Sequence, residues 1–226
     1  IPGQSEQGSS LAADAYYRSS KKIGITIGTS GPGILNFLQG MACSYFDSVP
    51  GLYIAGAPPI NHLRKNKKIR QIGFQEMEVQ NMVEPICKYS TLVKRIEDLN
   101  YELEKCINIA FSGRKGPTLI EIPDDISRMI MPKKITHFKK NIKNNFKKVN
   151  YKKIKELFKQ SEKPLVVVGN GCLLSNSIKD INKFVKKNKI PYSASWAALH
   201  QFSSSDNLNM GSFGVAATRY GNFAIQ

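Results

Sequence analysis

The stretch Ile23–Asn36, IGITIGTSGPGILN, decides the fold. Its first five residues form a short apolar run of the kind a buried strand carries. The segment that follows the turn, ILNFLQGMACSYF at residues 34–46, spaces its apolar side chains as one amphipathic helix. TSGPG, residues 29–33, therefore marks a strand-to-helix turn. Gly31 and Gly33 permit positive φ and close backbone approach, and Pro32 stiffens the loop between them. Such a turn can present backbone to an anion or a flat ring. A small-residue turn also serves packing alone, so its neighbours have to decide between the two.

Working outward, the same alternation repeats. Strand-like runs LYIAGAP (52–58) and GPTLIEIPDD (116–125) are interleaved with helix-like segments QGSSLAADAYYRS (7–19) and LNYELEKCINIAFSG (99–113). Further on, KPLVVVGNGCLL (163–174) starts a new strand and turn, SIKDINKFVKKNK (177–189) reads as a helix, and IPYSASW (190–196) as a short strand. Strand then helix, repeated, predicts an α/β fold of parallel sheets flanked by helices. Between the two regions lies PKKITHFKKNIKNNFKKVNYKKIKE, residues 132–156. Its lysines and asparagines alternate with single apolar residues, which reads as a solvated basic linker. The map is one domain over 1–131, a linker over 132–160 and a second domain over 161–226 with only two strands. The chain opens on IPGQSEQG without a methionine and closes on NFAIQ, a helix entering a strand that does not arrive, so it reads as an internal portion of a longer polypeptide.

Composition narrows the function classes. The 226 residues are 41% hydrophobic, enough for a substantial core, and carry a net charge of +16. Clustered lysines are what a nucleic-acid partner would select, but much of the excess sits in the linker, so a nucleic-acid or regulatory module remains only the charge-based alternative. No apolar run approaches the ~20 residues of a membrane span and no leader pattern is visible, which points to the cytoplasm. Cys43, Cys87, Cys106 and Cys172 form no CxxC pair and read as reduced core residues. His62, His137 and His200 match no metal spacing. Trp196, after a strand, reads as core or as a cleft wall. A dinucleotide-binding module would need GxGxxG, which GTSGPG fits poorly and GNGCLL fails at its third glycine.

The order of blocks carries more than any one turn. SEQG, then SGPG with Asn36, then DSVP, GFQE and GRKGP, resembles the pyrimidine-binding domain of thiamine-diphosphate-dependent enzymes of the acetolactate synthase type. PLVVVGNGC to GNFAIQ resembles the opening of their Rossmann-like central domain. The resemblance covers essentially the whole chain. It implies decarboxylation of a 2-oxo acid such as pyruvate, with carboligation, or simple decarboxylation or another lyase reaction in the same family. It also implies a homodimer or homotetramer.

Residue by residue, the resemblance assigns Glu6 as the catalytic carboxyl that hydrogen-bonds the cofactor's aminopyrimidine, a role that calls for shelter from bulk water. Pro32, Gly33 and Asn36 line the pyrimidine pocket. Phe74 supplies an apolar wall, or is core, and Gln75 a donor to substrate, or a loop cap. Asp47 in DSVP caps a turn that Pro50 fixes. Magnesium and the diphosphate would be held by a domain outside this chain, since no GDG occurs here. FAD stays open: Arg114 in GRKGP matches a flavin-contacting arginine, or is structural, while Gly169-Asn170-Gly171 departs from the family's glycine triplet. Ala57 stands where a glutamine is usual, and NHLRKNKKIRQIG is longer than the corresponding loop, which leaves the substrate open.

Overall fold

The computed structural model describes residues 1–66, 68–139 and 149–226. The chain divides into two units, Ile1–Asn145 and Phe146–Gln226. In chain order the first holds α1 (Glu6–Ser20), β1 (Gly24–Gly28), α2 (Pro32–Leu35), α3 (Leu38–Phe46), β2 (Gly51–Ala57), α4 (Val79–Val83), β3 (Tyr89–Leu92), α5 (Leu99–Phe111), β4 (Pro117–Pro123) and α6 (Asp124–Ser127). The four strands are all parallel in the order β1-β2-β4-β3. Ile54 of β2 pairs with Ile27 on one side and Ile120 on the other, so β2 is central and apolar throughout.

Alternation along the strands sends side chains to two cores. Phe37, Met41, Tyr53, Ala55, Val79, Val83 and Leu119 pack together on one face. Leu52, Val93, Cys106, Ile120 and Ile126 pack on the other, against Leu103 and Ile107 of α5. α1 is tied to the first face by polar groups. Asp14, 7% exposed, accepts from Arg18 Nε at 2.5 Å and from Ser44 Oγ at 2.8 Å. Ser44 Oγ lies 3.1 Å from the Tyr53 hydroxyl, and Arg18 Nη2 donates to Asp47 Oδ2 at 2.8 Å. Among the described residues no buried side-chain nitrogen or oxygen lacks a hydrogen-bond partner, which is what makes such burial tolerable.

Three expectations for this unit change. Residues 34–46 are not one helix: Asn36 N and Phe37 N bond to Gly33 O and Ile34 O, a tighter turn between α2 and α3. That turn drives Phe37 into the core, fully buried and edge-on to Tyr53 at 5.7 Å. β3 was not legible as a strand, because its four residues are all half-buried and it is recruited by pairing with β4, 29 residues on in register at Tyr89 and Thr118. Cys43 is exposed, unlike the buried Cys106 and the half-buried Cys87 and Cys172.

The second unit holds α7 (Tyr151–Gln160), β5 (Val166–Val168), α8 (Asn170–Leu174), α9 (Ile178–Asn188), β6 (Tyr192–Ala194), α10 (Trp196–Leu199), β7 (Asn209–Ser212) and α11 (Arg219–Ile225). Its parallel strands run β5-β6-β7, three among the described residues rather than two. β7, sequence NMGS, has little strand propensity and is read only through its pairing with β6. Val168, Val185, Tyr192, Ala194 and Ala198 form the core, whereas Trp196 is 63% exposed and belongs to neither a core nor a described cleft. The middle of the segment expected as linker, residues 140–148, lies outside the described residues. Its last part, 151–160, is helical: Asn150 caps it by accepting from Lys153 N at 3.0 Å, and Tyr151, Ile154, Leu157 and Phe158 share one face, all of them exposed.

Candidate functional site

The site lies where β1 and β2 end and their loops meet. Ser5 caps α1 by accepting from Gly8 N at 3.1 Å, which places Glu6 in the first helical turn. Across from it, Pro32 starts α2 and is exposed, with Gly33 buried behind it. A Cβ built on Gly33 would stand 3.0 Å from Glu6 Oε1 and 2.4 Å from Thr29 Cγ2. Asn36 Nδ2 donates to Glu6 Oε2 at 3.3 Å. Glu6, Gly33 and Asn36, up to 30 residues apart, are thus one cluster. Glu6 is half-buried rather than fully sheltered, because its neighbours Thr29, Gly33 and Asn36 are small.

Gly31 is the other half of the turn. Its φ is +60°, and a Cβ there would lie 2.1 Å from the carbonyl oxygen of Gln75. The TSGPG turn and the GFQE loop therefore meet backbone to backbone, a contact that only glycine admits. Gln75 itself has φ +59°, a left-handed conformation uncommon for a residue with a Cβ. Ser30 Oγ donates to Gln75 Oε1 at 3.0 Å, which orients the amide and leaves Nε2 as a donor. Phe74, beside it, is 81% exposed and so is not core.

The loop around Gln75 is organised by Glu76, which the sequence left without a role. Its carboxylate accepts from Arg64 N at 2.7 Å, Ile72 N at 2.8 Å and Gly73 N at 3.4 Å. Burial pushes the Glu76 carboxyl up, but these amides and the Arg64 guanidinium outweigh it and hold it below the usual carboxylate range. Arg64 spends its fork on the carbonyls of Ile69 and Arg70, both at 3.0 Å, and on Glu78 Oε1 at 2.6 Å. The unusually long loop after β2 is thereby folded back on itself.

These residues border a cleft of about 230 Å³ lined by Gly31, Ala57, Arg64, Gln75, Gln80 and Glu121, among others. Glu121, near the end of β4, is 5% exposed, and Gln80 Nε2 donates to its Oε2 at 3.4 Å. Burial pushes this carboxyl up to about 7 against the lowering effect of the Gln80 bond. A visible signal for it existed: a glutamate inside TLIEIP interrupts an otherwise apolar buried strand.

Arg114 is not brought to this cluster. It precedes β4, at the opposite end of the strands, where Nε donates to Ser48 Oγ at 2.7 Å and Nη2 to Phe46 O at 3.2 Å. It fastens the turn between α3 and β2. His137 pairs with Glu104 at 2.8 Å on the surface.

Two family models match the chain. The thiamine pyrophosphate enzyme N-terminal TPP binding domain covers residues 1–82, and the thiamine pyrophosphate enzyme central domain covers residues 151–226. Similar curated proteins include a chloroplastic acetolactate synthase of Arabidopsis thaliana, 32% identical over 98% of this chain and 33% of its own length. An acetolactate synthase of Arthrospira platensis is 31% identical over 97% of this chain and 38% of its own. The acetolactate synthase large subunit of Buchnera aphidicola is 32% identical over the same shares. The chain thus spans about a third of the length of the curated relatives it matches. With a carboxyl, a glycine turn and an asparagine converging in the first unit and a parallel α/β second unit later in the sequence, the chain belongs to the thiamine pyrophosphate enzymes and carries their N-terminal and central domains.

Proposed function

We propose that the intact protein is a thiamine-diphosphate-dependent enzyme of the acetolactate synthase type, acting on a 2-oxo acid such as pyruvate. The observation that carries this is the convergence of Glu6 with Gly33 and Asn36 on the turn whose Gly31 lines a cleft together with Gln75. The residues present fit an aminopyrimidine ring. A Cβ at Gly33 would collide with Thr29 Cγ2 and Glu6 Oε1, so the glycine lets the Glu6 carboxyl lie against the turn, where Oε1 can exchange a proton with a ring nitrogen. When bound, thiamine diphosphate supplies the nucleophilic carbon and the electron sink for decarboxylation.

The chain's own residues bind and orient. Asn36 holds the Glu6 carboxyl at Oε2 and leaves Oε1 for the ring, so the proton moves at a fixed atom. Gly31 admits the Gln75 backbone, Glu76 organises the loop around it, and Ser30 turns its amide so that Nε2 can donate to a substrate oxygen. The same reading includes magnesium held by residues outside these 226, a homodimer or homotetramer and action in the cytoplasm, with FAD a further ligand that the absorbance of the purified protein would reveal. No helix among the described residues is long and apolar enough to cross a membrane.

The test is carbon dioxide release from pyruvate by the intact protein with thiamine diphosphate and magnesium, with product identification. Release with acetolactate formed supports the synthase reading; release with acetaldehyde points to simple decarboxylation. No release from pyruvate or other 2-oxo acids overturns the proposal.

A further inference from the structure

The cleft beside the turn has an unusual balance of polar groups. Its charged lining residues are Arg64 from the loop after β2, Glu76 and Glu78 from the segment entering α4, and Glu121 from β4. Three of these are spent on protein. Arg64 is committed to Glu78 and two carbonyls, Glu76 to three amides, and Glu78 Oε2 accepts from Asn81 Nδ2 at 2.6 Å. β2 contributes Gly56 and Ala57 and β3 contributes Leu92, neither titratable, while α4 contributes Gln80 and Asn81. Tyr53 shares the Glu121 face of the sheet, but its hydroxyl is engaged with Ser44.

Glu121 is therefore the lining residue whose carboxyl keeps unspent hydrogen-bonding capacity, with one long bond from Gln80 at 3.4 Å. A carboxyl so enclosed is stable as the neutral acid, a donor, because burial disfavours its charge. The cleft, about 230 Å³, is below the ~300–1,000 Å³ of sites for drug-sized ligands, and so is scaled to a small acid. Among its described lining residues it offers an anion no uncommitted cation. What it offers are neutral donors: Gln75 Nε2 and the Glu121 hydroxyl.

We propose that Glu121 is a substrate-binding residue: its neutral carboxyl donates a hydrogen bond to an oxygen of the 2-oxo acid held in this cleft beside Gln75. The proposal rests on the function proposed above for the same site. The bound anion and the proton on Glu121 then stabilise each other. Ionising Glu121 removes the donor and sets a buried negative charge against the substrate carboxylate. KM for the 2-oxo acid consequently rises about tenfold for each pH unit above the Glu121 midpoint, while kcat is less affected.

The experiment uses the intact protein loaded with thiamine diphosphate and magnesium, in two arms. In the first, infrared difference spectroscopy follows the neutral-carboxyl band that disappears in Glu121→Gln, titrated with and without oxamate, an unreactive isostere of pyruvate. Oxamate is expected to raise the midpoint by at least one pH unit. An unchanged or lowered midpoint overturns the proposal. In the second arm, KM for pyruvate is measured against pH. Wild type should show the tenfold-per-unit rise, and Glu121→Gln, a permanently neutral donor, should stay within twofold from pH 6 to 8.5. A variant that keeps the wild-type slope also overturns it. Should no 2-oxo acid be turned over, the proposed function fails alone, and the infrared arm still decides whether Glu121 binds the acid.

Discussion

Replacing Gly31 by alanine should cripple the site through a single methyl group. At φ +60° and ψ −119°, outside the left-handed α region, a residue with a Cβ loses about 1–3 kcal/mol in backbone energy. The new Cβ would also lie 2.1 Å from the Gln75 carbonyl oxygen and 2.8 Å from its carbonyl carbon and Cβ. All three are backbone or stem atoms that no rotamer change can clear, so the loop must move, at a further cost of about 1–3 kcal/mol for forced overpacking. The sum is about 3 kcal/mol, or roughly 6–12 °C in the melting temperature for a unit of this size. Gly113 supplies the control. Its φ is +53°, yet a Cβ there meets nothing within 4 Å, so Gly113→Ala should show a positive-φ cost without any collision. Scanning calorimetry of both variants separates the two contributions. Hydrogen exchange at the amides of Ile72 and Gly73, which Glu76 holds, should speed up in Gly31→Ala and stay unchanged in Gly113→Ala. If the two variants melt together and exchange alike, the close contact between the TSGPG turn and the GFQE loop is not what makes Gly31 necessary.

Three further outcomes follow from the same geometry. Glu6→Gln, which keeps the shape but not the exchangeable proton, should lose at least a hundredfold in kcat while its melting temperature stays within about 1 °C of wild type; retained turnover would remove Glu6 from catalysis. Glu76→Ala strips three backbone amides of their acceptor and should cost about 2–3 kcal/mol, with protease sensitivity appearing in residues 63–76; an unchanged cleavage pattern would show that Arg64 suffices. Because the Glu121 carboxyl sits at about 7 when folded, above its ordinary 4.5, the stability that its neutral form supports is full below pH 4.5 and lost as the pH rises through about 7; Glu121→Gln should flatten stability across that window in urea titrations, and an undiminished slope would place the effect elsewhere.

Much of this was legible before any coordinates. Apolar runs separated by amphipathic helices specify parallel α/β units, since a strand buried on both faces must be apolar throughout and its helices on one side only. The glycines of TSGPG announce a tight turn, and Glu6, Gly33, Asn36 and Gln75 could be singled out because the blocks carrying them stand in a family-like order. Short local patterns could not show β3 or β7, whose polar sequences become strands only by pairing with neighbours already in place. Nor could they show that Arg114 clamps a turn at the far end of the sheet, that the 34–46 helix tightens at Asn36 to bury Phe37, or that Glu76 rather than Gln75 organises its loop. Glu121 is the clearest case. Sequence marks a charge in an apolar strand, but only the fold places Gln80, 41 residues away, against its carboxyl and closes a low-dielectric cleft around both. The protonation of a buried group is set by what surrounds it in space, and along the chain those surroundings are scattered.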